Sequence, residues 1–114
     1  LAVVRREHGA GGEQTVQGLL ADTATELEAA RMLTWKAAAS GDEVSLAEAS
    51  RAKLAATSAA QAAVVRATQV VGVDSFRRGH IIERLTQDVR AIELFAGRTE
   101  TLREAVADAE LPHV

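Results

Sequence analysis

The sequence predicts an all-α protein, an antiparallel four-helix bundle, and three observations carry that prediction. Hydrophobic residues make up 47% of the chain but aromatic residues only 3%, too few for a sandwich built on aromatic and β-branched side chains. One proline in 114 residues leaves long stretches without a helix breaker. Apolar side chains recur every three or four positions through most of the chain, the period of one helix face. A chain of this length is expected to be one domain, residues 1–114, burying about two thirds of the surface its unfolded form exposes.

Residues 1–8 read as the last turns of a helix, and Gly9-Ala10-Gly11-Gly12 ends it, since glycine adopts the positive φ that reverses the chain. The opening Leu1-Ala2-Val3-Val4-Arg5-Arg6 has no cap, so this helix is expected to be truncated. From Gln14 to Ser40 a long helix places Val16, Leu20, Leu27, Ala30, Leu33 and Ala37 on one side. Trp35 borders that face, at an edge of the core or a subunit contact. Gly41-Asp42 closes the helix. Ser45-Leu46-Ala47-Glu48 then has the form of a capping box, starting a second helix that runs to Val71. Alanine dominates its middle, so several neighbours can approach closely, and oligomerisation is expected. The last elements are a helix from Ile81 to Phe95, with Ile81, Ile82, Leu85, Val89, Ile92 and Phe95 on the core, and a short helix from Glu100 to Ala109 capped by Thr99.

Composition excludes several functions. The formal charge of −3, with both signs interspersed, leaves no basic stripe, and three phenylalanine or tryptophan rings cannot form a base-stacking platform, so nucleic acid is not an expected partner. Without cysteine there is no disulfide framework and no thiolate nucleophile, and a cytoplasmic location is expected. No apolar run reaches the roughly 18 residues of a membrane span, and the amino terminus does not read as a signal peptide. His8, His80 and His113 stand at no ligand spacing, so no metal site is expected. The glycine-rich loop lacks the lysine and the flanking strand of a phosphate-binding loop and reads as a linker. Arg77-Arg78 could face an anionic phosphate or simply be solvated.

Six segments carry a more specific signal. Gln14-Thr15-Val16-Gln17, Leu20-Ala21-Asp22 and Glu26-Leu27-Glu28-Ala29-Ala30-Arg31 are followed by Ala52-Lys53-Leu54, by Ala67-Thr68-Gln69-Val70-Val71-Gly72 and by Glu83-Arg84-Leu85-Thr86-Gln87-Asp88-Val89-Arg90. In order and spacing they resemble the carboxy-terminal bundle of the acyl-CoA dehydrogenases. The resemblance implies FAD as cofactor, acyl-CoA as substrate of a larger polypeptide, and a homo- or hetero-oligomer in which the bundle forms a subunit interface. It also implies that Arg5 meets the flavin pyrophosphate, that Gln69 and Gly72 meet the nucleotide half of FAD, and that Leu94, Phe95 and Gly97 shape one wall of the acyl-CoA pocket. His8 replaces the family's phenylalanine, and the loop after Gly9 is shorter than the family form. Val73 and Ser75 stand where the family uses glycine, obstructing close backbone approach, and Asp74 brings negative charge to the same place.

The stretch Asp88 to Glu100, where one helix breaks at Gly97 and another begins, resembles the segment that holds the family's catalytic glutamate. Ala96 occupies that position here. A methyl group cannot accept a proton, and general-base catalysis needs a carboxylate within hydrogen-bond reach of the acidic carbon. Three sources of chemistry remain open: a glutamate upstream of Leu1, as in the isovaleryl-type members; a catalytic partner subunit, this chain being a non-catalytic structural subunit; or Glu93 or Glu100 as a substitute base. The chain by itself is expected to be inactive.

Overall fold

The computed structural model describes residues 14–95 and 97–111. Four α-helices account for most of them: α1 (Gln14–Ala39), α2 (Leu46–Val71), α3 (Ile81–Leu94) and α4 (Thr99–Glu110). Short 3-10 turns, Gly41–Glu43 and Gly72–Phe76, join the first three. The described residues contain no strand, in keeping with the all-α bundle that composition and periodicity predict. The clipped helix expected over residues 1–8 and its glycine loop lie outside the described residues.

Each start and stop has a local cause. The Ser45 side chain accepts a hydrogen bond from the Glu48 amide at 3.1 Å, satisfying one of the orphan donors of α2. The Glu48 carboxylate turns to the Ser40 hydroxyl, 3.3 Å away, and so ties the start of α2 to the end of α1. Gly72 ends α2 at φ 79°, a conformation that side-chain-bearing residues rarely adopt. His80 caps α3 through Nδ1, which accepts from the Ile82 amide. The cap of α4 is Arg98, without a side-chain hydrogen bond, and not Thr99, which is already the first helical residue. Only the extended backbone of Arg98 is needed to enter that helix.

α2 is the centre of the domain. It packs on α1, α3 and α4 in turn, while the other helices make few contacts with one another. Its alanines explain this arrangement, because small side chains let backbones approach from several directions. Ala47, Ala52 and Ala59 of α2 and Ala30 of α1 are buried, together with a single large side chain, Ile82 of α3. The face expected of α1 is the one observed: Ala30 is buried and Val16, Leu20, Leu27, Leu33 and Ala37 are half-buried. Trp35 is exposed at its edge.

The core expected along α3 is only half realised. Ile82 is buried and Ile81 and Val89 are half-buried, but Leu85, Ile92 and Phe95 are exposed. The reason is geometric: α2 is the only described helix on which α3 packs, and the apolar stripe is wider than that one contact.

Candidate functional site

The residues singled out by the sequence fall into two groups at opposite ends of α2. Gln69 and Gly72 lie at its carboxy-terminal end. Leu94 is the last residue of α3 and Phe95 and Gly97 follow it, at an end tied to Lys53 in the first half of α2. Lys53 and Gln69 are separated along the helix by roughly 24 Å at 1.5 Å per residue. Arg5 and Ala96 lie outside the described residues.

At the first end, Gln69 is exposed and the space around the Gly72 α-carbon is open, with nothing within 4 Å of where a side chain would begin. The obstruction expected of Ser75 does not arise. Its hydroxyl donates to the Gly72 carbonyl at 2.6 Å and the residue is 2% exposed, so the side chain is turned inward. Val73 does project, at 83% exposure. The charge of Asp74 is met by Arg77 at 2.7 Å, which leaves less negative field at this end than the sequence suggests. Arg78 is exposed beside it.

At the second end Lys53, part of the Ala52-Lys53-Leu54 segment but given no site role from the sequence, organises the backbone. The Lys53 ammonium donates to the carbonyl of Ile92 at 2.7 Å and to that of Phe95 at 2.8 Å. Helix carboxy-termini carry unpaired carbonyls and partial negative charge, and α3 has no basic residue in its own last turn. Lys53 supplies the missing cation from another helix. That absence is the signal from which the contact could have been anticipated. Beyond it, Gly97 sits at φ 113°, and a side chain there would meet the Leu102 Cδ2 at 3.3 Å. Phe95 is 75% exposed and Leu94 is exposed too, so both project from this end of the domain.

Behind the turn lies a cavity of about 500 Å³ between α2, the end of α3 and α4. Lys53, Glu93, Glu100 and Arg103 all line it. The two carboxylates considered as substitute bases therefore share one cavity, among cations. A second cavity of about 530 Å³ lies between α2 and α3, with Val64, Val65, Val89 and Leu94 giving it an apolar wall.

The described residues thus form an all-α bundle with an exposed amide and glycine at one end of α2 and a lysine-braced turn toward the other. Its family follows from comparison. The model of the acyl-CoA dehydrogenase carboxy-terminal domain matches residues 1–111, and the chain belongs to that family. It is similar to 3-sulfinopropanoyl-CoA desulfinase of Paraburkholderia xenovorans strain LB400, 41% identical over 95 residues, covering 82% of this chain and 24% of that protein. The human mitochondrial short-chain specific acyl-CoA dehydrogenase is 40% identical over 96 residues, covering 82% and 23%. Cyclohexane-1-carbonyl-CoA dehydrogenase of Geobacter metallireducens is 34% identical, covering 82% and 25%. The chain thus spans about a quarter of the length of these relatives. No solved structure gives a significant match. Among the described residues no helix is long and apolar enough to cross a membrane.

Proposed function

We propose that this chain is the carboxy-terminal helical domain of an FAD-dependent acyl-CoA dehydrogenase-type protein, contributing a subunit interface and part of the site for FAD and a CoA thioester. The observation that carries the proposal is the family match over residues 1–111, joined to the position of Gln69 and Gly72 on an open, exposed end of α2. The substrate class rests on the relatives' names, each of which contains a CoA thioester. The cytoplasm is the compartment we propose, since a chain without cysteine gains nothing from an oxidising one.

The described residues fit a flavin nucleotide better than the bare sequence suggests. An exposed glutamine amide can donate and accept, the Gly72 backbone is open to approach, Ser75 is out of the way, and Arg77 offsets Asp74. Val73 remains a projecting departure, at 83% exposure. Arg5, Gln69 and Gly72 would hold the cofactor, whose chemistry when bound is to accept the hydride. Leu94, Phe95 and Gly97 would wall the acyl-CoA pocket and exclude water from it. The two groups are too far apart to serve one compact site within a single chain. Their separation favours an oligomer, homomeric or heteromeric, in which the two ends serve sites on different subunits.

Ala96 cannot remove a proton, so the base must come from elsewhere in the polypeptide or from a partner. That substitution, with Val73, specifically favours a second reading: a non-catalytic subunit that stabilises a catalytic one. Purification of the natural full-length polypeptide that includes this chain separates the two. Bound flavin whose visible absorbance changes on adding butyryl-CoA supports the first reading. A colourless protein that co-purifies with a flavin-bearing dehydrogenase subunit supports the second. A colourless protein that associates with no such subunit refutes both.

A further inference from the structure

Among the described residues Lys53 reaches from the central helix to the backbone at the end of α3, and both of its acceptors are main-chain carbonyls. Ile92 and Phe95 contribute them at 2.7 and 2.8 Å. The Phe95 carbonyl is the carbonyl of the residue that follows α3, so the ammonium fixes the direction in which the backbone leaves that helix. The Ile92 carbonyl also accepts the Phe95 amide at 3.1 Å, closing the last turn of α3 around the same ammonium. On the far side of the turn, Gly97 leaves just enough room for Leu102 of α4, since a side chain at position 97 would meet its Cδ2 at 3.3 Å.

Ordinary helix capping would be satisfied by one carbonyl and by any cation in the last turn. Here the cation comes from a different helix, and its stem emerges among Ala52 and Leu54 on a helix otherwise rich in alanine. A lysine has three donors, and two directed at carbonyls three positions apart define a position for the backbone between them. We propose that Lys53 is a positioning residue, setting where the Phe95–Gly97 turn presents its side chains to the CoA-thioester pocket. This rests on the reading of that turn as a pocket wall.

The test uses the natural full-length polypeptide in three forms: unaltered, Lys53→Met and Lys53→Arg. Methionine keeps an unbranched stem and removes every donor, and arginine restores a cationic fork able to reach two oxygens. Hydrogen exchange at the Phe95 amide is expected to quicken about tenfold in Lys53→Met, roughly the factor carried by one charge-assisted hydrogen bond. It should return toward the unaltered rate in Lys53→Arg, with amides in α1 unchanged. The dissociation constant for butyryl-CoA should rise several-fold with methionine and recover with arginine.

Unchanged exchange at Phe95, or acceleration spread evenly over α1 and α2, overturns the proposal, the second because it marks a general loss of stability. Local acceleration with unaltered butyryl-CoA affinity overturns the positioning role. If the unaltered polypeptide binds no butyryl-CoA, the pocket-wall reading fails and the positioning role falls with it, while the exchange data still decide whether the brace exists.

Discussion

Truncating Ile82 to alanine should cost this domain more stability than removing any other single apolar side chain on α3. Ile82 is 3% exposed, whereas every other buried apolar residue described is an alanine. The change removes three carbons, worth about 2.4 kcal/mol at roughly 0.8 kcal/mol each. The hole left where α3 packs on α2 adds to this, and a total of about 3 kcal/mol falls within the range seen for such truncations. For a domain of this size that corresponds to a fall in Tm of roughly 12–20 °C. The assay is urea and thermal unfolding followed by circular dichroism, run beside Phe95→Ala as a control. Phe95 is 75% exposed, so its truncation should change stability by less than about 0.5 kcal/mol. Equal losses in the two variants, or a loss below about 1 kcal/mol for Ile82→Ala, would refute the assignment of Ile82 as the anchor of α3.

Ser45→Ala removes the acceptor for the Glu48 amide and should lower stability by about 1 kcal/mol, measured by the same unfolding curves, with Ser45→Asp close to neutral. Gly97→Ala forces a side chain into φ 113° and against Leu102, and should destabilise by about 1–3 kcal/mol and loosen α4 in hydrogen exchange. Glu26 meets Arg66 through a forked pair of hydrogen bonds at 2.7 and 2.8 Å, and chiefly that bonding holds its carboxyl below the ordinary glutamate value. A group whose pKa is depressed on folding adds stability above its unfolded pKa, and that contribution disappears as pH falls through the folded one. Arg66→Met should therefore move the Glu26 carboxyl, followed by NMR titration, up toward the ordinary value. An unmoved titration would show that the pair is not held in solution.

The fold was legible because its signals are local. Helical periodicity, the Ser45 cap and the glycine at position 72 each act within a few residues, and the structure places all three as the chain suggests. The core of α3 was less legible. Apolar spacing marks a stripe but not how many partners will cover it, and Ile92 and Phe95 stayed on the stripe without a described helix over them. Among the candidate site residues, the family resemblance singled out Gln69, Gly72, Phe95 and Gly97 but could not orient Ser75, whose inward hydroxyl depends on the 3-10 turn that follows Gly72. Lys53 escaped for a related reason. Its acceptors are backbone carbonyls 39 and 42 positions away, and no residue type at those positions signals them.

What aligns the helices follows from how little shape the core has. Buried alanines pack closely but interdigitate weakly, so burial alone leaves each neighbour of α2 free to slide by a fraction of a turn. α2 answers with one cation toward each of them: Arg66 pairs with Glu26 of α1, Lys53 with the carbonyls at the end of α3, and Arg51 with Glu110 of α4. The two ion pairs are largely exposed and contribute little stability singly. Their consequence is register. Sliding α1 or α4 by one residue, 1.5 Å, moves each acidic partner out of the best hydrogen-bonding geometry to its cation. The same division of labour applies at the turn near position 96: close packing keeps the helix there, and a directed ammonium decides where its last carbonyls point.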